Sequence, residues 1–91
     1  MQNKEKIVIG SMVYWSRIRP NTEEFDVIDL QVSKKYEDYF ACTDDSSGQR
    51  CLFSYGEYNR KVFGNRYDAL QKSIEAEEKF SNQLKKEMGD L

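Results

Sequence analysis

The stretch Tyr39-Phe-Ala-Cys-Thr-Asp-Asp-Ser-Ser-Gly-Gln-Arg-Cys-Leu-Phe-Ser-Tyr55 decides the architecture. Two apolar runs flank Asp44-Asp45-Ser46-Ser47-Gly48. Those residue types favour turns, through side-chain bonds to the backbone and through glycine's tolerance of positive φ. A symmetric turn centred between Ser46 and Ser47 places Phe40 opposite Phe53 and Cys42 opposite Cys51. Tyr55 continues that face, while Thr43, Arg50 and Ser54 fall on the other. One side of the predicted hairpin is then apolar and the other mostly polar. A one-residue slip would exchange every side chain between faces, so the pattern argues for the register as well as the hairpin.

Outward from the hairpin strands at 39–43 and 50–55, further short apolar or alternating runs lie at 11–17, 25–32 and 61–63. Turn signals separate them at Arg19-Pro20-Asn21 and at Gly56. The spacing predicts a mostly β chain, an antiparallel barrel of about five short strands. In the run at 25–32, Ile28, Leu30 and Val32 share one face, with Phe25 and Val27 out of phase. Either a bulge near residues 26 and 27 or burial of both faces at one end would reconcile them.

The C-terminal segment reads as one α-helix capping the barrel. Asn65 suits the N-cap and Asp68 resembles the acidic partner of a capping box. Tyr67, Leu70, Ile74, Leu84 and Met88 fall within a stripe of helical period, with Ala69 near one edge and Phe80 near the other. Glu75 and Lys79 are spaced for a favourable pair, and Gly89 suits the stop. Glu77 interrupts the stripe. Leu70 and Ile74 are therefore expected to cover the sheet. Phe80, Leu84 and Met88 are expected to reach past it and offer a surface to a partner or a second copy. The single domain thus divides into an N-terminal arm (1–9), a barrel-like sheet (10–64) and an amphipathic helix (65–89).

Composition supports a folded chain and limits its chemistry. The 91 residues include one Trp, six Tyr and five Phe, large surfaces that a disordered segment would lack. Net charge is only −2, unlike a generic nucleic-acid binder. Residues 21–49 nevertheless carry a net −6 and residues 50–67 a net +3. No run approaches the length of a membrane span, and Ile7-Val8-Ile9 is too short for a signal-peptide core. The expectation is a cytoplasmic protein. The chain contains no histidine, the commonest general base and metal ligand.

Each remaining chemical feature has a plain structural explanation. Cys42 and Cys51 would fill the sheet interior as small apolar residues, and two thiols alone leave a zinc ion half-ligated. Glu23, Glu24, Asp26 and Asp29 suit solvated strand faces. No phosphate loop, nucleophile elbow or calcium loop is present. No enzyme, cofactor or metal is expected. Tyrosines surplus to a small core suit the barrel rim, where Tyr14 or Tyr58 with Arg60 could also contact a partner.

Gly10-x-x-Val13-Tyr14-Trp15, the hairpin ending in Leu52-Phe53, and Val62-Phe63-Gly64-Asn65-Arg66-Tyr67-Asp68-Ala69-Leu70 together carry a resemblance spanning residues 10–78. The pattern resembles small uncharacterised proteins of bacteriophages and mobile elements in Gram-positive and gut bacteria. Those open on a Gly-x-x-Val-Tyr strand and enter the helix through Val-Phe-x-Thr-x-Glu-Glu-Ala. Asn65 replaces the usual Thr, and Tyr67-Asp68 the acidic pair. The resemblance implies an SH3-like barrel plus helix, and no catalytic residues.

The leading expectation is a non-enzymatic binding module of phage or mobile-element origin, contacting a protein partner, itself or a nucleic acid. One alternative is an inhibitor of a host defence enzyme such as a CRISPR nuclease, acting through the acidic segment 21–49, with Glu23, Glu24, Asp26 and Asp29 as its candidate acidic surface. Another is nucleic-acid binding by the basic segment 50–67. No membrane association is expected.

Overall fold

In the computed structural model, which describes residues 3–89, two apolar hairpins and a helix build a mostly β fold. The strands are β1 (Met12–Arg19), β2 (Glu24–Lys35), β3 (Tyr39–Asp44), β4 (Arg50–Ser54) and β5 (Val62–Phe63), followed by α1 (Arg66–Gly89). They form one antiparallel sheet in the order β4-β3-β2-β1-β5, curled into a half-barrel.

The β3–β4 hairpin has the register its sequence predicts, with Phe40 opposite Phe53 and Cys42 opposite Cys51. The Asp44 carboxylate organises the turn, accepting bonds from the Ser46 N–H and hydroxyl, each at 2.8 Å. Those bonds hold its pKa below the ordinary carboxylate value. Gly48 supplies the positive φ, 77°, that closes the turn. Phe40 is fully buried, and its ring lies 5.9 Å from that of Phe53 and 5.5 Å from that of Tyr55. The Tyr55 hydroxyl donates to the Tyr36 carbonyl at 2.6 Å, so this buried phenol keeps a partner.

The β1–β2 register runs without a break from Met12 opposite Gln31 to Arg19 opposite Glu24. Val13 and Trp15, with Ile28 and Leu30, therefore point into the core formed by Val32, Phe40, Phe53 and Val62. Ile7, in the segment read as an arm, is buried in the same core. Alternation sends Ser16 and Ile18, with Phe25 and Val27, to the opposite face, where α1 packs. Burial of both faces thus accounts for Phe25 and Val27. The irregularity in β2 lies further along, between Val32 and Lys34.

The helix starts as its sequence predicts: the Asp68 N–H donates to Asn65 Oδ1 at 2.9 Å. Its buried stripe differs from the expected one. Ala69 and Ser73 are buried and Ala76 and Phe80 half-buried, whereas Leu70 and Ile74 are 37% and 47% exposed. Close approach is the reason. The Ser16 hydroxyl donates to the Ala69 carbonyl at 2.6 Å, and the Ser73 hydroxyl donates to the Asp26 carbonyl at 3.1 Å. Only small side chains let the helix backbone sit that near the strands.

The opposed cysteines are both free thiols. Burial pushes the Cys42 thiol up to about 12, with the neighbouring Cys51 adding to the effect. Burial and the Asp44 charge also raise Cys51. Both groups are protonated at neutral pH and poorly nucleophilic.

Two measurements test this packing. Ser73→Leu should destabilise the protein by about 1–3 kcal/mol in urea unfolding through overpacking. Ile74→Ala should change stability by less than about 1 kcal/mol, because Ile74 is half-exposed. A disulfide-exchange reagent at pH 8 should label the native thiols slowly, Cys42 last. Both should react at once in guanidinium.

Candidate partner-binding groove

Beyond Phe80 the helix leaves the sheet, and every residue from 81 to 89 is exposed. Phe80 itself is anchored, its ring 5.6 Å from that of Phe25 on β2. Leu84 and Met88 follow on the same side, 37% and 68% exposed. Between this end of α1 and the β1–β2 turn lies an apolar pocket of about 390 Å³, walled by Ile18, Pro20, Phe25, Ala76, Phe80 and Leu84.

Ile18 also lines a second, wider concavity of about 600 Å³ on the outer side of β1. Trp15, Arg19, Arg60, Lys61 and Lys72 form its walls, with Glu57 the single carboxylate. Arg19 lies over the Trp15 ring, 6.0 Å from its centroid. A smaller hollow lined by Ile18, Lys72, Glu75, Ala76 and Lys79 joins the two. Together they make one groove along the outer edge of β1, basic at one end and apolar at the other.

The expected contact residues separate in space. Phe80 and Leu84 line the apolar end and Arg60 the basic end. Met88, a turn after Leu84, is not among the residues lining the groove. Tyr14 is half-buried in β1, opposite Asp29 on one side and Phe63 on the other. Tyr58 packs against the core, its hydroxyl so close to Gly64 that a Cβ there would come within 2.5 Å. The aromatic exposure expected of the tyrosines is greatest at Tyr67, 68% exposed at the start of α1.

Three of the four expected acidic-surface residues are paired with arginines. Arg17 meets Asp26 at 2.6 Å, Arg19 meets Glu24 at 3.6 Å and Arg66 meets Asp29 at 3.3 Å. Glu23 stands exposed in the β1–β2 turn with a left-handed backbone, φ 55°. The net charge presented by this segment is therefore smaller than its sequence suggests.

Two groove residues, Trp15 and Ile18, were outside the set that sequence reasoning selected. Their alternation in β1 is visible in the sequence. The open sheet edge at Ile18 follows only from the shortness of β5, which pairs with Tyr14 and Trp15 alone. No helix among the described residues is long and apolar enough to cross a membrane. Compared with protein-family models, curated proteins and solved structures, the chain matches none.

Proposed function

We propose that this protein is a non-enzymatic binding module that holds a protein partner by an apolar side chain seated between the end of α1 and the β1–β2 turn. The observation that carries this reading is the continuation of the Phe80, Leu84 and Met88 stripe past the sheet, next to an open apolar pocket. Exposed apolar surface beside a concavity is a frequent mark of protein contact. A volume of about 390 Å³ is at the small end for ligand pockets and suits a side-chain anchor. Phe80 is braced by Phe25, so that side of the pocket is in place before a partner arrives, which lowers the entropic cost of docking.

The test compares the native protein with Leu84→Glu. Leu84 lies on the part of the helix that has left the sheet, so the melting temperature should hold. Affinity capture from a cell lysate, with light scattering of the purified protein, should show a partner or a dimer that Leu84→Glu loses at least tenfold (about 1.4 kcal/mol or more). A monomer that captures nothing, or a partner retained by the variant, would refute the reading.

A further inference from the structure

We propose that the groove recognises an extended acidic peptide segment, which adds as a strand to the outer edge of β1 and ends in an apolar residue. This names the partner chemistry of the reading above and rests on it. The backbone supplies the first argument. On its outer side β1 pairs with β5 only at Tyr14 and Trp15, and the Ser16 N–H adds one bond to the Lys61 carbonyl at 2.8 Å. Alternate residues of a strand present their N–H and C=O groups to the same side, so Ile18 is the next to face outward. Among the described residues no hydrogen bond reaches the outward groups of Ile18. The preceding loop turns back on itself, the Arg60 and Lys61 N–H groups both donating to the Glu57 carbonyl, and leaves that edge open. An exposed sheet edge is the template on which extended peptides add.

Charge supplies the second argument. Arg60, Lys72 and Lys79 line the groove, and among the described residues none of the three forms an ion pair; the carboxylates along it are Glu57, paired with Lys61, and Glu75 and Glu87 on α1. Arg60 on the loop and Lys72 and Lys79 on α1 place cations on both walls of the groove, where they complement carboxylates along a peptide. The apolar pocket then lies at the end of that channel, with Ile18 common to both. A nucleic-acid strand would leave the Ile18 edge and the pocket of Phe25, Phe80 and Leu84 unused. Peptide fits all three features.

Selection from a random twelve-residue displayed-peptide library against the full chain tests this. Enriched sequences should be acidic and carry an apolar residue toward one end. The best of them, synthesised with a fluorophore, should bind the Arg60→Glu, Lys72→Glu double variant about tenfold more weakly. N-methylation along the peptide should weaken binding at alternate positions, the signature of strand pairing rather than side-chain contact alone. Melting temperatures verify that the variants are folded. An empty selection, peptides without acidic bias, unchanged affinity in the double variant, or uniform tolerance of N-methylation would each overturn the proposal. Displacement of the peptide by a twelve-nucleotide dT strand of equal affinity would overturn it too, in favour of nucleic acid. Peptides that lose binding to Leu84→Glu yet ignore the charge reversals would retain the apolar docking reading and reject the acidic strand.

Discussion

Two buried serines set the geometry on which the rest depends. Ser16 on β1 and Ser73 on α1 each donate to a backbone carbonyl of the other element's layer, Ala69 and Asp26 respectively. Because both hydroxyls are satisfied, neither buried polar group carries a desolvation penalty without return. The bonds also fix the distance and rotation of the helix. With Ala69 and Ser73 against the strands, Leu70 and Ile74 turn outward and Phe80 turns toward Phe25. The groove is a consequence of that rotation.

The sheet beneath is covered on both faces where β1 meets β2. One face contributes Val13, Trp15, Ile28 and Leu30 to the core, and the other receives α1. This double coverage holds β1 by both faces and by its β2 edge, although its outer edge is open past Ser16. A rigid strand with an open edge is well suited to pairing with a mobile segment, because the ordering entropy falls on the partner alone. The ion pair of Arg17 with Asp26 continues the cross-strand pairing toward the turn and keeps that end of the hairpin together. Partly exposed, it contributes more to register than to stability.

The legible parts of the fold were those governed by local rules. The β3–β4 register could be read because the turn residues fixed the centre and the alternation of Phe40, Cys42, Cys51 and Phe53 permitted one phase. The Asn65 cap was legible for a similar reason, since its chemistry spans three residues. The buried helix stripe differs from the periodic one because periodicity weighs large apolar side chains, whereas close packing here selects alanine and serine. Of the expected contact residues, Tyr14 is half-buried in β1 beside Phe63 and Tyr58 packs over Gly64, positions that only the tertiary structure assigns. Trp15 and Ile18 could not be singled out, since every strand alternates and only topology says which strand lies at an edge.

By itself, then, the sequence determined the strand and helix inventory, the central hairpin with its register, the helix start, and the surplus of apolar side chains near the C-terminus. These follow from periodicity, turn chemistry and capping, which act over a few residues. Tertiary structure alone decided which helix face is buried, which carboxylates are neutralised by arginines, and where the sheet stays open. Each of those depends on residues far apart in the chain: Ser73 meets Asp26, Arg66 meets Asp29, and Lys61 ends the coverage of β1 beside Ser16. The apolar helix end, an unfinished stripe in the sequence, is thereby one wall of a groove whose other wall no local pattern announces.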